Sequence, residues 1–287
     1  MSSYDAVVVG GGIIGGAIAF RLAQEKLRVA LFDGQAPGRE ASWAAAGMLS
    51  PAPESPNSIP LVPFGRASLA LYPDFIAELR GITGQDVGYR REGTIEVLFS
   101  SEAERELSTL IALHHGLGLA AEPLSVEEAR RLEPALGREA RATALLPDEA
   151  CLDNRALTAA ILAAAAESGV EILAHTKVVR LLKEGARCVG VVAEGRTISA
   201  GHVVLAAGAF CGGIEGIAPA APVRPVRGQM VALHNGAARL QRVLRSDRGY
   251  IVPRDEGTPQ RLVAGSTVED AGFDKRVTPR EIGRAHV

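Results

Sequence analysis

Three glycines and one acid in this chain are spaced as a dinucleotide-binding turn requires. The apolar run Tyr4-Asp5-Ala6-Val7-Val8-Val9 ends in Gly10-Gly11-Gly12-Ile13-Ile14-Gly15, a Gly10-x-Gly12-x-x-Gly15 pattern. A helical pattern follows at once, and Asp33 closes a second apolar run, Arg28 to Phe32, about 20 residues on. Each position has a mechanical reason: Gly10 makes the tight turn, Gly12 lets the main chain approach a pyrophosphate, and Gly15 lets the helix press on the strand. The helix N-terminus offers unpaired N–H groups to the anion, and Asp33 is expected to accept hydrogen bonds from ribose hydroxyls. A glycine-rich turn alone can simply be a turn. Here strand, turn, helix, second strand and acid come in order, which implies a dinucleotide and leaves NAD and FAD both open.

The chain that must position these groups has 287 residues, 47% of them hydrophobic, enough for two domains or one large one. Its formal net charge is −2 and its basic residues are scattered, so nucleic acid and anionic membrane surfaces are not expected partners and a small molecule is. Cys151, Cys188 and Cys211 lie far apart with no Cys/His cluster, which argues against a disulfide framework or a metal site and for a reducing compartment. No apolar run is long enough to span a bilayer, and the first strand begins too near Met1 for a signal peptide. A cytoplasmic location is the expectation.

Along the chain, Ala41-Ser42-Trp43-Ala44-Ala45-Ala46-Gly47-Met48-Leu49 is rich in small residues. It fits either a helix with tight packing or a backbone against which a planar cofactor lies. Pro51 to Pro63 reads as an irregular loop over a site. Arg66 to Arg80 has helical spacing, and Gly88 to Phe99 reads as strands turning at Arg90-Arg91-Glu92-Gly93. Ser101-x-x-Glu104 and Ser125-x-x-Glu128 are capping-box patterns that predict helices at about Glu102 to His115 and Val126 to Leu132. Asn154 is expected to cap an alanine-rich helix that runs to about Ser168 and stops at Gly169. A strand at Val170 to Ala174, a meander over Lys177 to Leu182, Cys188 to Ala193 and Arg196 to Ser199, and a separate buried strand from His202 follow. Val223 to Val268 reads as antiparallel strands.

That order decides between the two dinucleotides. An NAD dehydrogenase domain continues strand, helix, strand after its acid, whereas here the third parallel strand is deferred past an insertion and a meander precedes the return strand. The expected fold is therefore mixed α/β: a doubly wound FAD-binding domain of the two-dinucleotide-binding type, with an interleaved antiparallel-sheet substrate domain. The expected bounds are 1–85 and 145–222 for the FAD domain and 86–144 and 223–280 for the substrate domain.

The segments Gly10 to Gly15, Glu40 to Leu49, Pro225-Val226-Arg227-Gly228-Gln229, Tyr250-Ile251-Val252-Pro253-Arg254 and Gly265 to Asp270 resemble the glycine oxidase branch of the FAD-dependent D-amino-acid oxidase family. The resemblance covers nearly the whole chain. It implies an enzyme that oxidises the amine of a small amino acid, with hydride passing to flavin N5 and O2 reoxidising the flavin to give H2O2, in service of thiamine thiazole synthesis. It also implies a homotetramer. Sarcosine oxidase and D-amino-acid dehydrogenase are alternatives within the family, and a non-catalytic dinucleotide-binding protein is one outside it.

Residue by residue, the resemblance places Gly10, Gly12, Ile13, Ile14 and Gly15 at the pyrophosphate and Asp33, where most relatives carry Glu, at the ribose. Ala41, Ser42, Ala46, Gly47 and Met48 line the flavin, and Val178 meets the adenine end through its main chain. Tyr250 reaches the substrate carboxylate and Met48 sits near flavin and substrate; without the resemblance, Tyr250 reads as a core or rim aromatic and Met48 as packing. Arg227 and Arg254 read as solvated or structural. The resemblance further implies a carboxylate-binding arginine and a glycine-rich flavin segment C-terminal to these residues. Residues 281–287 are expected to be a non-native tail, because permitted codons for Glu281 to Val287 spell a common sequencing adapter; an intact genomic gene carrying those codons would refute this.

Overall fold

The computed structural model describes residues 3–217, 219, 221–234, 239–254 and 260–279. The expected tail, residues 281–287, lies outside them. In chain order the elements begin with β1 (Ser3–Val9), α1 (Ile13–Gln24), β2 (Val29–Phe32), α2 (Ala41–Ala44), β3 (Met48–Leu49) and α3 (Val62–Thr83). The middle of the chain forms β4 (Thr94–Leu98), α4 (Ala103–Gly116), β5 (Glu122–Leu124), α5 (Val126–Leu132), β6 (Ala142–Leu146) and β7 (Ala150–Cys151). Then come α6 (Asn154–Glu167), β8 (Glu171–Leu173), β9 (Val178–Glu184), β10 (Arg187–Ala193) and β11 (Arg196–Leu205). The last strands are β12 (Met230–His234), β13 (Val243–Ser246), β14 (Gly249–Arg254) and β15 (Arg261–Gly265).

Two compact units divide the chain. Unit 1 comprises residues 1–45, 77–87 and 154–225, and unit 2 comprises 46–76, 88–153 and 226–287. Residues 46–76 and 145–153, grouped with the first domain on the sequence, thus cluster within unit 2.

Unit 1 is built on a six-stranded sheet in the order β8-β2-β1-β11-β10-β9. The first four strands are parallel, and β10 and β9 extend them antiparallel. Ala6 to Val9 of β1 and the whole of β2 are apolar and buried because both their faces are covered, as a doubly wound sheet demands. Val7, Val9, Ala30 and Phe32 meet Val178, Val191 and Ile214 in one core cluster. The third meander strand and the return strand, expected as two, are one: β11 pairs with β10 over its first half and with β1 over its second. Gly201 sits within it, where a Cβ would lie 3.0 Å from Asp5 O, so the small residue marks a close backbone approach.

Unit 2 is a seven-stranded sheet, β12-β15-β14-β13-β4-β6-β5, antiparallel except for the β4–β13 pair. The Ser125 box forms as the pattern predicts: Ser125 Oγ accepts the Glu128 N–H and the Glu128 carboxylate accepts the Ser125 N–H. The Ser101 box does not. Glu102 takes the cap position of α4 without a side-chain bond, and its own N–H is drawn back to Ser100 Oγ at 3.1 Å. Between Gly88 and Phe99 only β4 is a strand; Arg90 instead makes an isolated bridge to Cys151. The irregular proline segment contains a 3-10 helix, Pro56–Leu61, and α3 starts earlier than the periodicity suggests, at Val62.

No helix among the described residues is long and apolar enough to cross a membrane.

Candidate functional site

In unit 1 the glycine turn has the geometry its pattern implies. Gly10 has φ +107°, a left-handed conformation open to glycine, and a Cβ there would meet Ala206 O at 2.4 Å. A Cβ on Gly15 would lie 1.8 Å from Gly10 O, so the helix start touches the turn through bare main chain. The first bond within α1 runs from Gly16 N to Gly12 O. The N–H groups of Ile14 and Gly15 therefore have no acceptor inside the helix and stand as donors for an anion. Ile13 N donates to Ser42 Oγ at 2.9 Å, which ties the short α2 to the start of α1. Ile13 is half-buried and Ile14 exposed.

Asp33 does more than await a ligand. Its Oδ2 accepts Gly11 N at 2.8 Å and its Oδ1 accepts Gln35 N at 2.8 Å, so the carboxylate fixes the glycine turn itself. The shorter acid reaches these amides from the end of β2. Ala41 and Ser42 belong to α2, whose carbonyls at Ser42 and Trp43 accept the Asn154 amide. Asn154, expected as a cap, is the first residue of α6 and anchors α2 in this way. The guanidinium carbons of Arg39 and Arg155 stack on the Trp43 ring at 3.8 and 4.1 Å. Val178 is buried, with its side chain in the unit 1 core.

In unit 2, Ala46, Gly47 and Met48 lead into a two-stranded ladder in which Met48 pairs with Cys151. Gly47 has φ +74°, and a Cβ there would lie 2.2 Å from Leu152 O. Arg254, only 4% exposed, donates to Leu152 O and, at 2.8 Å, to Ala46 O. The structural reading of Arg254 is thus correct: it holds the small-residue segment in place. Ala46, Cys151, Val243 and Val252 form a buried cluster against which Met48, Met230 and Tyr250 pack.

Tyr250 lies at the centre of a row across the sheet. It is opposite Gly265 on one side and Arg245 on the other, and Gly265 is opposite Met230. Its hydroxyl donates to Met230 Sδ at 3.1 Å, and Ser266 also hydrogen-bonds it. A Cβ on Gly265 would lie 3.2 Å from the phenol oxygen, so glycine leaves the room the ring uses. Burial raises the phenol pKa above its ordinary value; the Ser266 bond opposes this and the Glu54 charge adds to it. The phenol is therefore a neutral donor at physiological pH. Met230, Ser266 and the half-buried Arg245 were not singled out in the sequence, and the buried Arg254 was read only as solvated or structural. The signal was the two-residue alternation of β14, which puts Tyr250, Val252 and Arg254 on one face.

Arg227, the other arginine of those motifs, is also structural. It pairs with Glu269 at 2.6 Å, and Gln229 bonds the same carboxylate at 2.8 Å. Among the described residues no group of three or more His, Cys, Asp or Glu side chains could hold a metal ion, and no disulfide joins Cys151, Cys188 and Cys211.

A bare-backbone turn with two helix N–H donors suits a dinucleotide pyrophosphate, and an acid beyond the second strand suits the ribose hydroxyls as an acceptor. A family model described as FAD dependent oxidoreductase matches residues 5–286. The chain belongs to this family of FAD-dependent oxidoreductases. Its cofactor is FAD, as the strand order implied. The oxidoreductase is 35% identical over 278 residues to the glycine oxidase of Geobacillus kaustophilus, covering 96% of this chain and 73% of that one. It is 32% identical over 285 residues to the bifunctional protein ThiO/ThiG of Synechocystis, covering 97% of this chain and 40% of that one. The crystal structure of the Geobacillus kaustophilus glycine oxidase superposes with a TM-score of 0.90 at 32% identity, over 99% of this chain and 76% of that one.

Proposed function

We propose that this protein oxidises the amine of glycine or a similar small amino acid. FAD, when bound, supplies the hydride acceptor and the site of reaction with O2, with H2O2 as the reduced product. In unit 1, Gly10, Gly12, Ile13, Ile14 and Gly15 hold the pyrophosphate, Asp33 the ribose, Ala41 and Ser42 the flavin, and the Val178 main chain the adenine. In unit 2, Ala46, Gly47 and Met48 serve the flavin, and Tyr250 orients the substrate by donating its phenol hydrogen to the carboxylate. No protein base is required, because the protein's share is orientation and electrostatics. One observation carries the reading: a neutral phenol, held by Met230 and Ser266, packs in one cluster with Met48 in a chain 35% identical to a glycine oxidase. The ThiO/ThiG relative supports a role for the imine product in thiamine thiazole synthesis. Oxygen uptake by the FAD-loaded protein with glycine and with sarcosine tests the proposal. Reduction of an artificial acceptor without oxygen uptake would favour a dehydrogenase instead.

A further inference from the structure

The sheet face that carries Tyr250 also carries the buried Arg254 and the half-buried Arg245, and they grip opposite ends of one segment. Arg254 holds its start, through Ala46 O and Leu152 O. At its end, Ser50 Oγ donates to Glu149 Oε1 at 2.5 Å, and Arg245 donates to Glu149 Oε2 at 3.2 Å. Arg245 Nη1 also lies 3.4 Å from Ser50 Oγ, and Nε donates to Glu96 Oε2 at 2.7 Å. Met48 lies between the two grips and packs against the same buried cluster as Tyr250.

The row across the sheet explains how Arg245 comes to be there. Arg245 is directly opposite Tyr250 on β14 and Glu96 on β4. Opposed residues in a sheet share a face with Cβ atoms about 5 Å apart, so Tyr250, Arg245 and Glu96 stand side by side. Glu96 and Glu149 are 8% and 4% exposed. Burial works against the Arg245 charge, and Glu149 and Glu96 more than offset it, which holds its pKa above the ordinary value. A buried ion cluster is seldom the cheapest way to stabilise a sheet, because apolar residues of the same volume do as well. What it adds is direction: a guanidinium fork fixed by two carboxylates has one orientation, and Ser50 is fixed with it.

We propose that Arg245 is a positioning residue of the oxidase. With Glu149 and Ser50 it sets the place of Met48 beside Tyr250, and so the affinity for the amino acid. The inference rests on the proposed function above, and goes beyond it in assigning a residue that touches neither cofactor nor substrate.

The experiment uses the full chain loaded with FAD, in wild type, Arg245→Gln, Arg245→Lys and Glu149→Gln forms. The chain has three methionines, so methyl-labelled methionine reports Met48 directly, whether or not the protein turns over. Arg245→Gln should shift or broaden the Met48 methyl resonance and raise KM for glycine at least about tenfold, with kcat within about threefold; Arg245→Lys, which keeps the charge, should recover part of the KM. An unmoved Met48 resonance, or an unchanged KM in an Arg245→Gln protein that oxidises glycine, overturns the proposal. If Arg245→Gln fails to fold, Glu149→Gln decides by the same two readouts. A wild type that holds FAD but ignores glycine removes the proposed function, while the methyl resonance still settles the positioning role.

Discussion

Replacing Gly15 with alanine tests whether the turn at Gly10 works by bare-backbone contact. The new Cβ would lie 1.8 Å from Gly10 O and 3.0 Å from Gly10 C, where ordinary contact begins at 3.4 Å. The opposing atoms are backbone, so no rotamer relieves the clash, and the helix start and turn must separate by about 1.6 Å. Overpacking of this kind costs about 1–3 kcal/mol or more, and the gain in helix propensity offsets about 1 kcal/mol. A net loss of about 2 kcal/mol lowers Tm by roughly 4–8 °C in a chain of this size. The same displacement carries the Ile14 and Gly15 N–H groups off the anion, so FAD affinity should fall at least about tenfold, or about 1.4 kcal/mol. Gly16→Ala is the internal control. Its Cβ would meet Ile161 Cγ2 at 3.0 Å and Leu162 Cδ2 at 3.3 Å, side-chain methyls rather than backbone and at nearly twice the Gly15 distance. Helix propensity should then leave it within about 1 kcal/mol of wild type. Thermal melting of the apoprotein and FAD titration by flavin fluorescence measure both effects. A Gly15→Ala protein as stable as Gly16→Ala, with unchanged FAD affinity, refutes the reasoning.

Arg254→Met keeps the volume but strips Ala46 O and Leu152 O of a charged donor, so urea unfolding should show a loss of about 3 kcal/mol or more. Glu269 has its carboxyl held down to about 2 by the Thr267 hydroxyl, Arg227 and Gln229. A lowered pKa contributes stability that is full above the unfolded value near 4.3 and lost as pH falls toward 2. Glu269→Gln should therefore melt earlier than wild type at pH 7, with the difference closing across that window. Tyr250→Phe should raise KM for glycine about tenfold and leave the flavin absorption spectrum intact; unchanged glycine kinetics would remove Tyr250 from the site.

What could be seen in the sequence was local. Gly10, Gly15 and Asp33 announce themselves because a turn, a helix start and an acid must follow one another at fixed spacing, and the Ser125 box because both its partners lie within one helical turn. The Ser101 box does not form, because α4 starts one residue later and Glu102 takes the cap position. The rest depends on residues far apart in sequence. Arg254 reaches across 208 positions to Ala46 O, and Arg245 meets Glu96 across 149. Nothing in either neighbourhood distinguishes a buried arginine from a solvated one. The second role of Asp33 was hidden because the pattern specifies an acid for the ribose and is silent on the Gly11 and Gln35 amides that fix the acid itself.

The reaction proposed for this FAD-dependent oxidoreductase is hydride transfer from a small amino acid. The most direct test is the visible absorption spectrum of the FAD-loaded protein mixed with glycine without oxygen, followed by admission of oxygen. Glycine should bleach the flavin bands, and oxygen should restore them with release of H2O2. A flavin that stays oxidised with glycine and sarcosine alike, or a colourless protein that ignores FAD and binds NAD, would contradict the proposed reaction.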